Sequence, residues 1–243
     1  MCSSAGVLVL VCCAGHIVSS QTLSWRGVPV LEQFAHLAPA ILDADSRAAA
    51  FCEARCGAGR TFRSFLYVTV GTGIGSSLVL DGVPFVGVRG CTGTLASAPM
   101  RALHPEGGTL TGMALEDVAS GPAMVARYNR QAGGAVVRTE QVLAAAAAGD
   151  PIAAGVVDTA ASSLGATIAL LVNVLDPEAV IVGGGLGAAP GLYWERLAPA
   201  ILDHIWSDVH RGLPLLQARH GSDAGFIGAA LLAFEQHGMD VPR

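Results

Sequence analysis

Apolar positions along the chain follow two periods. Gly6–Cys13 is an unbroken apolar run rich in Val and Leu and predicts a buried strand, with a turn at Ala14-Gly15 and a short extended piece at Ile17-Val18. The spacing predicts a modest helix over Leu31–Leu37 behind Pro29, and a second over Asp45–Arg55 with Asp45 as its N-cap. Phe65–Val70 and Ser76–Leu80 read as strands separated by Gly71-Thr72-Gly73-Ile74-Gly75, and Asp81-Gly82 is a turn signal. Beyond residue 114 the period is mostly helical. Helices are expected over Leu115–Tyr128, Thr139–Ala148, Pro151–Leu175 (capped by Asp150), around Tyr193–Ile205 and from Ala224, with short buried strands at Ala179–Val182 and Leu213–Ala218. Strands early, helices between strands later, and no repeats indicate an α/β protein.

Composition narrows the function classes. The chain has 243 residues, 52% of them hydrophobic and 14% charged, enough for a large core and too apolar for a disordered protein. A net charge of -5 leaves no basic stripe for nucleic acid or an acidic membrane. All 14 basic residues are Arg, so a phosphate loop built on lysine is excluded. Gly6–Cys13 lacks the positive flank of a signal peptide, and Leu164–Leu175 is too short and too interrupted to span a bilayer, so a cytoplasmic location is expected. The six cysteines have no C-x-x-C spacing and read as free, mostly buried thiols.

Two glycine clusters carry the candidate chemistry. Gly71–Gly75 sits between two strands, which argues against a Walker loop or a Rossmann turn, since both need a helix to begin at the glycines. It is either a plain hairpin or a turn that aims backbone N–H groups, with the Thr72 hydroxyl, at an anion. Gly183–Gly185 ends a buried strand, where a backbone free of side chains lets a flat ligand approach. Gly183, Gly185 and Ala188 also spell a loose G-x-G-x-x-A, but Pro190 falls where the dinucleotide helix should run and Asp203 lies within a helical pattern, so NAD binding is the weaker reading.

The order of these elements resembles the ROK family of sugar kinases and sugar-responsive repressors, within the actin/hexokinase ATPase superfamily. The likeness runs through the helix starting at Asp45, Gly71–Gly75, Asp81-Gly82 with Gly87, Gly90 and Gly93, Leu115-Glu116 with Ala119-Ser120-Gly121, Asp176-Pro177 with Gly183–Gly185, and Asp223-Ala224-Gly225 with Gly228. It implies a two-domain fold of ribonuclease-H-like type with the first domain incomplete: residues 1–62 plus 227–243 as its remnant, and 63–226 as the C-terminal α/β domain. It also implies phosphorylation of a sugar hydroxyl by ATP with Mg²⁺, and a homo-oligomer, by default a dimer. Asp45 matches the family's catalytic base; its ordinary reading is a helix cap. Glu116 matches a sugar-hydroxyl acceptor, or else satisfies a helix dipole. Gly71, Thr72 and Gly73 would face the phosphates, and Gly183, Gly184 and Gly185 would lie under adenosine.

The departures bear on activity. The family's D-x-G-G-T loop is not found, and the first residue enters the pattern partway through the first domain. The first reading is a sugar kinase whose activity can depend on that segment, and the alternative is a non-catalytic sugar-sensing regulator of the same family lacking its DNA-binding part. The family's Asn-Asp pair appears as Ala44-Asp45, and its G-E-x-G-H as Gly93–Ser97, leaving Thr94 and Ser97 as the polar groups for a sugar. The C-x-C-G-x-x-G-C run before Glu116 has no cysteine, so no structural zinc is expected there.

Overall fold

A computed structural model describes residues 11–13, 16–19, 27–34, 36, 41–103 and 110–236. Val11–Cys13 (β1) and His16–Ser19 (β2) pair antiparallel, and Val30–Phe34 (α1) follows. The start of the run at Gly6, the Ala14-Gly15 turn and the end of the Leu31–Leu37 helix lie outside the described residues. Then come Asp45–Cys56 (α2), Ser64–Val70 (β3), Ile74–Leu80 (β4) and Val83–Pro84 (β5). Asp81 (φ 49°) and Gly82 (φ 76°) are both left-handed, the two-residue turn that matches strand twist, which explains the Asp-Gly pair between β4 and β5.

Pro99–Leu103 (β6) and Leu110–Ala114 (β7) form a small antiparallel ribbon that the sequence pattern did not reveal. The helix expected over Leu115–Tyr128 is broken into Glu116–Ala119 (α3) and Gly121–Ala132 (α4). Ser120 causes the break: its backbone is extended and its hydroxyl accepts the Ala123 N–H, restarting a helix that Pro122 favours at its first turn. Thr139–Ala147 (α5), Pro151–Leu175 (α6), Val180–Gly183 (β8), Gly184–Gly187 (α7), Leu192–Asp203 (α8), Asp208–Arg211 (α9), Leu215–Gln217 (β9) and Ala224–Gln236 (α10) complete the described chain.

Strands β5-β4-β3-β8-β9 form one five-stranded sheet in that order. β3 runs antiparallel to β4 and parallel to β8, and β8 runs parallel to β9. Alternation along β3 sends Leu66, Val68 and Val70 to one face and Phe65 and Tyr67 to the other. Both faces are covered, which is why β3 reads as a continuous apolar run. On the first face lies α6, whose stripe of Val156, Val157, Ala160, Ala161, Leu164 and Ile168 is buried at helical spacing. By length and composition α6 could cross a bilayer, yet this stripe is packed in the protein core. Gly165, which interrupts its apolar pattern, lets α8 approach: a Cβ there would stand 2.8 Å from the Ala200 carbonyl carbon.

On the second face lies α2, with Ala49, Ala50 and Cys52 against Phe65, Tyr67 and Ile181. α10 crosses α2 so closely that a Cβ on Gly228 would fall 1.7 Å from the Ala48 carbonyl oxygen. Packing is therefore continuous across residue 62.

At the head of α6, Asp150 Oδ1 accepts the amides of Ile152 and Ala153 at 2.8 and 3.1 Å, as its N-cap position predicts, while Oδ2 accepts the Tyr128 hydroxyl at 2.7 Å. These bonds, led by that of Tyr128, hold the Asp150 carboxyl below its ordinary range. A depressed carboxyl adds stability above its unfolded pKa, and that stability is lost as pH falls through the folded value. Asp150→Ala is expected to lower the melting temperature at neutral pH, with a gap that closes on acidification. A gap independent of pH in thermal melts would contradict this.

Candidate active site

Asp45 is the first residue of α2, and the N-cap is Ala44 rather than Asp45 as expected. The extended Ala44 backbone supplies no capping side chain, and Asp45 Oδ1 instead accepts the Ser46 N–H at 2.7 Å. Burial raises the Asp45 pKa, and the Ser46 amide offsets part of that rise. The start of α2 is anchored by Arg47, which sequence reasoning passed over. Its buried guanidinium pairs with Asp43 and donates from Nη1 to the Gly90 carbonyl at 3.1 Å, tying the helix to the loop around Gly87–Gly93.

The Gly71–Gly73 turn joins β3 to β4 as a tight hairpin, the Gly71 amide donating to the Gly73 carbonyl at 3.0 Å. None of its glycines is left-handed; they are needed for space. A Cβ on Gly73 would lie 2.8 Å from Glu116 Oε2, and one on Gly75 would lie 3.1 Å from Ser46 Cβ. The second distance puts the foot of the hairpin directly against the residue after Asp45. Glu116, at the start of α3, uses Oε2 to accept the Ile74 N–H at 2.8 Å. That carboxylate braces the hairpin from the far side, a role neither of its two sequence readings anticipated.

The second glycine cluster divides by function. A Cβ on Gly183 would meet the Tyr67 hydroxyl at 2.2 Å, and one on Gly184 would meet the Val70 carbonyl at 2.4 Å, so these two let β8 lie against β3. Gly184 is also left-handed, at φ +79°. Gly185 has open space before it, and its amide nitrogen is 3.6 Å from where a Gly71 Cβ would be. The two clusters therefore meet.

They meet at the lip of a cavity of ≈ 600 Å³, lined by Gly71, Thr72 and Gly185 with residues of α4 and α5. Its volume lies in the range of small-molecule sites, about 300–1,000 Å³. Val125, Ala126, Leu143 and Leu186 form an apolar wall, and Thr72, Arg138 and Thr139 supply polar groups at the wall or rim. Sequence reasoning missed the α4–α5 wall. Its available signal was Ser120-Gly121-Pro122, since a Cβ on Gly121 would crowd Thr139 Oγ1 at 2.6 Å. Gly73, Gly183 and Gly184 do not line this cavity. Thr94 and Ser97 are exposed, and each donates its hydroxyl within its own loop, Thr94 to Cys91 O (2.9 Å) and Ser97 to Thr94 O (3.0 Å).

The sequence model of the ROK family matches residues 4–236. A glucokinase of Halalkalibacterium halodurans is 32% identical over 246 residues, covering 91% of this chain and 72% of that protein. A bifunctional enzyme NanE/NanK of Brucella melitensis is 38% identical over 196 residues, covering 81% of this chain and only 35% of that longer protein. Among solved structures, a ROK family glucokinase from Streptomyces griseus in complex with glucose and AMPPNP superposes with a TM-score of 0.80 at 26% identity, over 93% of this chain and 79% of that one. The chain belongs to the ROK family and has its hexokinase-type α/β fold.

Proposed function

We propose that this chain is a carbohydrate kinase that transfers the γ-phosphoryl group of ATP to a sugar hydroxyl, with Asp45 as the base. One observation carries the reading: the two glycine loops meet at one cavity, and the hairpin that forms its lip rests on the start of the helix bearing Asp45. The sugar-kinase relatives and the AMPPNP complex of the Streptomyces griseus glucokinase support the same reading.

The chemistry asks for position and charge control more than for covalent help. In this reading adenosine lies against the apolar wall of α4 and α5, over Gly185. The phosphates reach the hairpin tip, where the Gly71 amide is already taken by Gly73, leaving those of Thr72 and Gly73 for the ligand. The sugar oxygen forms a bond to γ-phosphorus as the bridging P–O bond breaks toward ADP, and its proton passes to Asp45. Burial makes that carboxylate a better base, and the Ser46 amide fixes its plane, leaving Oδ2 for the sugar. Mg²⁺, a cation of oxygen ligands, would enter on the phosphates and offset their charge; among the described residues no group of three carboxylates gathers at this cleft to hold it alone.

Glu116 acts in this scheme by holding the hairpin, and its other oxygen is available to a sugar hydroxyl. The Asn, Glu and His absent from the sugar side are each worth about 1–3 kcal/mol when a buried hydroxyl goes unpaired, so the preferred sugar is not assigned to glucose.

Sugar-dependent ADP release across a sugar panel tests the activity, and Gly185→Val tests the cavity. The added side chain meets nothing within 4 Å at its Cβ, so the fold is retained, but it projects where the nucleotide would lie. The expected result is a KM for ATP raised about tenfold or more, equivalent to ~1.4 kcal/mol or more, with the KM for sugar unchanged. An unchanged KM for ATP would remove the nucleotide from this cavity.

A further inference from the structure

At the opposite end of α2 from Asp45, three soft or borderline ligands converge. Cys52 and Cys56 are four residues apart on one helix, so their side chains share a face. Their sulfurs are 3.7 Å apart, and Cys56 Sγ is 3.5 Å from Nε2 of His220, which arrives from the segment before α10. All three ligand atoms lie within 4.8 Å of one another.

A tetrahedral zinc with Zn–S near ~2.3 Å and Zn–N near ~2.0 Å sets its two sulfurs about 3.8 Å apart and each sulfur about 3.5 Å from the nitrogen. Two edges of the observed triangle have those lengths. The third ligand is also held in place independently of its ring. Buried Glu53 accepts the His220 N–H on Oε1 at 3.0 Å and the Arg219 N–H on Oε2 at 3.1 Å, which draws this segment over the end of α2. The imidazole is thus not needed to hold the segment, and its Nε2 rests between Cys56 Sγ and the Cys56 carbonyl, the latter at 3.2 Å.

We propose that Cys52, Cys56 and His220 form a structural site for a thiophilic d¹⁰ cation, Zn²⁺ in the first instance, with solvent in the fourth position. On binding, both thiols release their protons to water and Nε2 donates its lone pair. Burial and the neighbouring Cys56 push the Cys52 thiol pKa up, so without a cation that thiol stays protonated. The cation would staple the end of α2 to the approach of α10, about 16 Å along the helix from Asp45 at 1.5 Å per residue. It therefore stiffens the helix that presents Asp45 without touching substrate. This location is distinct from the Cys-rich run before Glu116, whose absence led to the expectation of no zinc.

Co²⁺ titration of the reduced, metal-stripped full chain tests the site. A tetrahedral thiolate site gives strong visible d–d bands and a near-ultraviolet sulfur-to-cobalt band, both abolished by Zn²⁺. The bands are expected in the wild type and in Cys91→Ser, which alters an exposed thiol elsewhere. They should persist when Cys2, Cys12 and Cys13 are replaced by serine, and vanish in Cys52→Ser/Cys56→Ser. His220→Asn keeps the backbone bond to Glu53, so it should fold, yet lose both the bands and the rise in melting temperature that Zn²⁺ gives the wild type. No tetrahedral spectrum in the wild type, bands that survive the double Cys52/Cys56 variant, or an equal Zn²⁺ shift in His220→Asn would each overturn the proposal.

Discussion

Asp45→Asn is expected to cut sugar-dependent ADP formation by about 10²–10⁴-fold, the usual worth of a positioned general base. The same variant should be at least as stable as the wild type at neutral pH. Burial raises the Asp45 pKa in the folded state. A raised carboxyl contributes stability below its unfolded pKa, and that contribution is lost as pH rises through the folded value. Asparagine never ionises and escapes the loss, so the stability difference should favour the variant progressively from acidic to neutral pH. Urea melts across that range, beside a coupled ADP assay, separate the two roles this residue could have. A variant that keeps its turnover but loses stability would make Asp45 a helix-start residue and nothing more.

The second large effect is structural. Glu53 is fully buried in α2, and its carboxylate accepts the amides of Ala58 (2.7 Å), Arg219 (3.1 Å) and His220 (3.0 Å). Gly57 makes room for it, since a Cβ there would fall 2.0 Å from Oε2. One side chain thus closes the end of α2 and docks the segment leading into α10. Glu53→Ala removes the acceptor of three part-buried amides at once and empties a fully buried position, and a loss on the order of 3 kcal/mol in urea-derived stability is expected. Glu53→Gln should fall between, because its amide nitrogen must face donors it cannot accept from. A loss under about 1 kcal/mol for the alanine variant would mean that water or backbone shifts re-satisfy those amides.

The sequence made the strongly periodic elements legible and left the long-range ones hidden. Both bounds of Pro151–Leu175 are readable because Asp150 and Pro151 announce its start locally and its apolar stripe repeats at helical spacing. The pattern over Leu115–Tyr128 predicts one helix because Ser120 interrupts it through backbone geometry that leaves the apolar period intact. The ribbon of β6 and β7 has too short an alternation to stand out among the glycines and prolines around it.

The candidate site divides in the same way. The glycine clusters were visible as local runs, and the family resemblance gave Asp45 and Glu116. Their physical relations were not readable, because they depend on contacts such as Gly75 with Ser46, Gly73 with Glu116 and Gly71 with Gly185, which only the folded chain brings about. The Cys52–Cys56 spacing is plain in the sequence, but its partner His220 lies 164 residues beyond Cys56.

Amide hydrogen exchange, with AMPPNP and a sugar added separately and together, tests most directly whether the hairpin and the head of α2 frame one reaction cleft. AMPPNP is predicted to protect Gly71–Gly75 and the segment from Gly184 to Ala189 together, and a bound sugar to extend protection to Asp45 and the loop around Gly87–Gly93. Protection by AMPPNP confined to other elements, with both glycine loops exchanging as in the free protein, would contradict the account.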